Sequence, residues 1–575
     1  MVRIYRPVSR GEPMPMSSAT SPWWRDAVIY QVYPRSWADA DGDGLGDLPG
    51  ITSRLPHLVE LGVDALWISP FYRSPQRDAG YDVADYRDVD PRFGTLADFD
   101  VLIERAHHLG LRLIVDLVPN HSSSDHAWFQ QALAAPPGSP ERARYIFRDG
   151  RGPDGDQPPN NWRSKFGGSA WTRIKEADGA PGQWYLHLFD ESQPDFDWSH
   201  PEIRAEFEDI LRFWLDRGVD GFRIDVAHGM VKTEGYPDAP EKYDLAVDPT
   251  ASQPMWDQPG VHDIFRSWRR LVDSYDGDRI LCAEAWVRPD EALARYVRPD
   301  ECHHSFNFGY LMTPWRATDQ RASITRSLEA VRSVGAVQTW VLSNHDVVRH
   351  ATRLAVPQST TSLVGGIGPD DPQPDAELGL RRARAATALM LALPGAAYLY
   401  QGEELGLPEA TMLPPEARQD PTFWRSDEGD VGRDGCRVPV PWEADRPAFG
   451  FNETGATWLP QPEVYGPLAV DRQRGVPGST LEMYRSLLTL RRDRGLGRGE
   501  LRWLDGFGPD VVAFVVASAG RTTTVLANIA RTPLVLPAGA TVLVTSGASD
   551  RELPADTTVW LDGELSASQV HVPGV

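Results

Sequence analysis

Residues 112–121 read Arg112-Leu-Ile-Val-Asp116-Leu-Val-Pro-Asn120-His121. A short run of Leu, Ile and Val that ends in a proline and polar residues is a buried strand delivering polar side chains where it leaves its sheet. The segment before it, 96–109, is helix-like, and the same alternation returns in both directions along the chain. Strands are expected at 27–33, 65–69, 112–118, 221–226, 279–283, 305–308, 339–343 and 396–401, with helices over 96–109, 201–217, 261–274 and 380–391. Alternating strands and helices build a parallel sheet, and eight such units predict an α/β chain whose centre is a (β/α)8 TIM barrel. The spacing breaks twice. Between His121 and Trp198 lies a polar, Pro- and Gly-rich stretch too long for a loop, read as a small domain inserted after strand 3. A second long irregular segment, 407–478, follows strand 8. Beyond Gly497 the runs 511–517, 522–528, 541–545 and 558–561 are rich in Val and Thr and carry no helix signal, which predicts a C-terminal antiparallel β-sandwich. The expected division is a flexible tail over 1–22, a barrel over 23–120 and 199–497, the insertion over 121–198 and a β-domain over 498–575.

Composition narrows the function. With 58 Lys+Arg against 81 Asp+Glu, the net charge of −23 disfavours nucleic acid and anionic membranes as partners. The apolar stretch 386–400 is interrupted by Pro394-Gly395 and is too short to span a bilayer. Three cysteines, Cys282, Cys302 and Cys436, cannot form a disulfide framework, and residues 1–22 carry no apolar signal core, so a cytoplasmic monomer or small homo-oligomer is expected.

Chemistry gathers where strands end. Asp116 to His121, Gly221-Phe-Arg223-Ile-Asp225, Glu284 in Leu-Cys-Ala-Glu-Ala-Trp, and Asn344-His345-Asp346 each place acidic or His residues just past an apolar run. Neighbouring strand ends of a barrel converge, so Asp225, Glu284 and Asp346 should face one centre. Carboxylates crowded in a desolvated site repel one another, and at least one is then a proton donor near neutrality. For any one of them alone, a helix N-cap is the simpler reading.

From Trp23 to the C-terminal domain these motifs, in this order, resemble glycoside hydrolase family 13, the α-amylase family, in its α-glucosidase and oligo-1,6-glucosidase branch. The resemblance implies that Asp225 is the nucleophile, Glu284 the general acid/base and Asp346 a stabiliser that binds sugar hydroxyls. His121 and His345 would bond the reacting glucose, and Arg223 would hold the nucleophile ionised. Gln76-Arg-Asp78-Ala-Gly-Tyr81-Asp82 resembles the family's loop after strand 2, so Asp78 would reach sugar hydroxyls and Tyr81 would stack on the ring. Arg437 matches the arginine that pairs with that aspartate at the pocket floor, and Phe166 an aromatic wall from the insertion. The implied activity is retaining exo-hydrolysis of terminal α-linked glucose from short oligosaccharides; a trehalose synthase-like isomerase or a transglucosidase would share the same residues. A non-catalytic relative would need lost carboxylates or a membrane segment.

Asp39-Ala-Asp41-Gly-Asp43-Gly44-Leu45-Gly-Asp47 has the ligand order of a calcium loop, with carboxylates at positions 1, 3, 5 and 9 and the Leu45 carbonyl at 7. Gly50 replaces the final Glu of an EF-hand. The loop resembles the Ca2+ or Mg2+ loop of oligo-1,6-glucosidases, and its role would be structural; no organic cofactor is implied. Three departures bear on specificity. His228 and Gly229 stand where endo-acting amylases carry Lys-His. Gln193-Pro-Asp195-Phe-Asp197 differs from the branch's usual motif. Val226, after the nucleophile position, is the residue type that accompanies α-1,6 cleavage in relatives, where Thr or Ala accompanies α-1,4.

Overall fold

A computed structural model of the chain describes residues 21–176, 178–240, 253–356, 365–426, 429–548 and 551–566. The expected tail over 1–22 lies outside the described residues, apart from its last two. Eight parallel strands are present: β1 (Val28–Val32), β2 (Ala65–Ile68), β3 (Arg112–Leu117), β4 (Gly221–Ile224), β5 (Ile280–Ala283), β6 (His304–Ser305), β7 (Thr339–Val341) and β8 (Ala396–Tyr400). They pair in the order β6-β5-β4-β3-β2-β1-β8-β7. The two outer edges meet where Asn307 N donates to Thr339 O at 3.2 Å, closing the barrel.

Successive residues alternate between two layers, as the pleat requires. Ile29, Trp67, Ile114, Ile280, Cys282 and Tyr398 fill the interior, while Tyr30, Leu66, Val115, Phe222 and Leu399 pack outward against the helices. The expected strand 305–308 is displaced, because the Asn307 side chain accepts from Tyr310 N and caps the short helix Phe308–Leu311. The cap overrides the apolar run. The helix expected from 380 begins earlier, at Ala376, where Asp375 supplies the cap.

The segment after β3 forms a three-stranded antiparallel sheet of Phe147–Arg148, Pro181–Leu186 and Trp171–Lys175. It is tied to the barrel by a bridge between His121 and Asp195 and by buried Lys232, whose ammonium lies 2.7 Å from Asp195 and 2.8 Å from Asn120 Oδ1. The C-terminal sandwich is unequal. A five-stranded antiparallel sheet lies on the helix Ala376–Leu391, where Trp560 Nε1 donates to Ala388 O at 2.9 Å, and the two-stranded ribbon Leu534–Val535 with Glu552–Leu553 covers the other face. Among the described residues no helix is long and apolar enough to cross a membrane.

Candidate active site

The ends of β3, β4 and β5 meet at one buried guanidinium. Arg223 Nη1 donates to Asp116 Oδ1 at 2.9 Å and to Asp225 Oδ1 at 2.7 Å, and Nη2 lies 3.3 Å from Glu284 Oε2. Glu284 is aimed from two sides: Val226 N donates to Oε2 and Trp286 Nε1 to Oε1, both at 2.8 Å. Val226 achieves this with φ +45°, a left-handed conformation that strains a β-branched residue. Its contribution to the site is thus its backbone as much as its side chain. Gly229 leaves room for the turn, since a Cβ there would lie 2.6 Å from Val226 Cγ1.

Burial dominates the electrostatics of this cluster. It pushes Asp116 up to about 6 and raises Asp225 and Glu284 above their ordinary values. Burial, Glu284 and Asp116 push Asp225 up, while Arg223, whose one positive charge is divided among three carboxylates, pulls it toward its ionised form.

A second cluster lies at the end of β7. Here the expected pair of Asp78 with Arg437 does not form. Arg433 takes that place, with Nη2 2.8 Å from Asp78 Oδ1, Nη1 3.0 Å from Asp346 Oδ1 and Nε 2.7 Å from Asp420 Oδ2. Arg437, beyond the short turn Asp434–Cys436, instead donates from Nε to His345 O at 2.8 Å and from Nη2 to Asp346 Oδ1 at 3.1 Å. Gln193 Nε2 donates to the other oxygen of Asp78 at 3.0 Å. Burial opposes ionisation of Asp346, but His345, Arg433 and Arg437 outweigh it and hold the carboxyl well below the usual range. Asp420 is likewise buried and likewise held low, chiefly by Arg433. Asp78 is pushed up to about 6 by burial, against the pull of Arg433 and Arg437.

The remaining expected residues surround these clusters. Tyr81 donates to Asp116 Oδ2 at 3.1 Å, and its ring stacks on His345 with centroids 5.2 Å apart. His121 donates to Tyr81 O at 3.1 Å, while His345 Nδ1 accepts from Gln31 at 2.7 Å. Burial pushes His121 down to about 4 and His345 well below its ordinary value, so both rings are neutral at pH 7. Phe166 packs beneath the Arg433 guanidinium, 5.1 Å from its ring centre. Sequence reading missed Arg433, Asp420, Gln193 and the structural part played by Asp116. Asp116 had a signal, because it shares the inward parity of Ile114 within β3. Arg433 had only its place four residues before Arg437.

The acidic loop gathers Asp39, Asp41 and Asp43, with one oxygen of each within 4.8 Å of the others. Asp47 is set differently, because its Oδ1 accepts from Gly50 N at 2.6 Å and caps the helix Leu48–Leu61 while its Oδ2 accepts from Ala40 N. Asn452 and Thr454 close the loop from the segment after β8, donating to Asp39 Oδ2 at 2.6 Å and Gly42 O at 2.8 Å.

Comparison with known proteins agrees with this arrangement. The model of the α-amylase catalytic domain matches residues 31–499. A probable α-glucosidase of Rhizobium meliloti is 40% identical over 508 residues, covering 84% of this chain and 86% of its own. Among solved structures, the α-glucosyl transfer enzyme XgtA superposes with a TM-score of 0.81 at 35% identity, over 95% of this chain and all of its own. The trehalulose synthase MutB of Pseudomonas mesoacidophila does so with 0.80 at 32%, over 94% of this chain and 99% of its own. Strand-end carboxylates, barrel and matched sequence agree: the chain belongs to the α-amylase family.

Proposed function

We propose that the chain is a retaining exo-α-glucosidase acting on short oligosaccharides, with Asp225 as nucleophile and Glu284 as acid/base. The observation that carries this is the guanidinium shared by the two carboxyls. A shared partner keeps them close, which suits the separation of about 5–5.5 Å in a retaining pair better than the ~6.5–9.5 Å of an inverting one. Asp225 attacks the anomeric carbon while the Glu284 carboxyl gives its proton to the departing oxygen. Glu284 then takes a proton from water as that water displaces Asp225, and glucose leaves with its α configuration. Asp346 and Asp78, held by Arg433, are the acceptors for glucose hydroxyls, and neutral His121 and His345 border the same space. Phe166 and Tyr81 supply the aromatic walls. A floor locked by charged pairs would stop a chain from running through, so cleavage is from the non-reducing end.

A second reading, glucosyl transfer or isomerisation, is favoured by the likeness to the glucosyl transfer enzyme and to trehalulose synthase. Product analysis at high maltose decides between them: free glucose alone supports hydrolysis, and new disaccharides or trisaccharides support transfer. Linkage preference is assigned to Val226, with an apolar face toward the leaving sugar.

The acidic loop suits a structural Ca2+ or Mg2+, because three carboxylates converge there without a cationic side chain among the described residues. Asp39, Asp41, Asp43 and the Leu45 carbonyl would hold it directly, with Asp47 behind them. The cation would tie this loop to the segment around Asn452 and take no part in the reaction. A cytoplasmic location suits three buried, unpaired cysteines.

A further inference from the structure

One buried carboxylate beside the pocket has no role in the chemistry above. Asp420, in the segment after β8, grips Arg433 along a single edge. Its Oδ2 accepts from Arg433 N at 2.6 Å and Nε at 2.7 Å, and its Oδ1 accepts from Nη2 at 3.1 Å. Asp420 is itself fixed. Oδ1 also accepts from Thr422 N at 2.9 Å, capping the helix Pro421–Arg425, and the Asp420 amide donates to Asp434 Oδ2 at 3.0 Å. Gly432, at φ +75°, permits this approach, since a Cβ there would stand 3.0 Å from that of Asp420.

A guanidinium carries five N–H groups in one plane. With Nε and one Nη2 hydrogen given to Asp420, the second Nη2 hydrogen points to Asp78 and Nη1 to Asp346. A flexible arginine facing two acids without this third contact would be free to pair with either alone. Resting on the α-glucosidase reading, we propose that Asp420 is a positioning residue for glucose recognition: it sets the plane of Arg433 so that one side chain spans Asp78 and Asp346 at once.

The test is a double-mutant cycle on the full chain, with p-nitrophenyl α-glucoside as substrate and melting temperature measured in parallel. Asn at 420 keeps an oxygen for the helix cap but loses the charged grip. Asp420→Asn should lower kcat/KM by about tenfold to a hundredfold, mainly through KM, as expected for loss of a charged hydrogen-bonded pair. In an Arg433→Lys background, which lacks the fork, the same change should cost less than about threefold, because the two residues act as one unit. A purely structural role would give the same penalty in both backgrounds. That result, or an Asp420→Asn enzyme within about threefold of the parent, overturns the proposal. If Asp420→Asn does not fold, Asp420→Ser, which also caps a helix, takes its place in the cycle. The parent enzyme is the control for the functional reading: if it releases no glucose, that reading fails on its own, whatever the cycle gives.

Discussion

The cluster at the ends of β3, β4 and β5 and the cluster at the end of β7 are made of the same residue types in different ratios, and only the second holds carboxyls below their ordinary range. In the first, Arg223 is the one cation that faces Asp116, Asp225 and Glu284 among the described residues. In the second, Arg433 and Arg437 together face Asp78, Asp346 and Asp420. Both are buried, so desolvation pushes every carboxyl toward its neutral form. One arginine for three acids does not overcome that push, so all three carboxyls of the first cluster are raised and hold a proton more readily than free ones. Two arginines overcome it at Asp346 and Asp420, which stay charged as fixed acceptors, but not at Asp78, which burial still pushes up to about 6. On the proposed function, the ratio of cations to carboxylates would separate the place where a proton moves from the place where sugar is held. The acidic loop at Asp39 extends the series to no arginine among the described residues, which is why a metal ion suits it.

Breaking the first cluster should have the largest effect. Asp225→Ala removes the attacking atom, and turnover of an α-glucoside should fall by about four orders of magnitude or more, measured under initial-rate conditions. Within the second cluster the two arginines should differ. Arg433→Ala takes the ion-pair partner from Asp78 and Asp420 and should cost about a hundredfold to a thousandfold in kcat/KM, whereas Arg437→Ala leaves Asp78 paired and should cost less. Equal losses, or a larger loss at Arg437, would return the floor pair to Arg437.

The loop without an arginine gives a test on stability. Chelation should lower the melting temperature by a few degrees, in a manner that reverses with added Ca2+, while turnover well below that temperature persists. An Asp41→Ala, Asp43→Ala double variant should melt at the chelated temperature and ignore chelator. A loop that is only a turn would show neither response.

The smallest effect sharpens the electrostatic contrast. Asp116 has a raised folded-state value of about 6, so its contribution to stability is full below the unfolded value and is lost as pH rises through about 6. Asp346 is depressed, so its contribution is present above the unfolded value and is lost only as pH falls below that range. Between pH 4 and 6.5, the melting temperature of Asp116→Asn minus that of the parent should therefore climb, by about 1–3 °C. For Asp346→Asn that difference should stay level over the same window. Parallel trends would mean that the two clusters are electrostatically alike.

Much of this was legible in the chain. The eight strands were readable because each is a short apolar run ended by Pro, Gly or polar residues, and barrel topology then forces those ends together. Strand β6 was misplaced because Asn307 caps a helix, a local hydrogen bond that hydrophobic patterning does not register. Asp225, Glu284 and Asp346 were readable as strand-end acids. The pairing of Asp78 was not, because Arg433 and Arg437 are alike in type and only four residues apart. Only the turn between them decides which one faces Asp78. Asp420 gave no sign, since its role depends on a contact across thirteen residues of irregular chain.

The proposed catalysis turns on which carboxyl supplies the proton. Glu284→Gln with an activated aryl α-glucoside should form the glycosyl intermediate without proton donation and then stall, and added azide should restore turnover with α-glucosyl azide as product, identified by NMR. A β-glucosyl azide, or no rescue while Glu284→Gln remains folded, would contradict the assignment of Asp225 as nucleophile and Glu284 as acid/base.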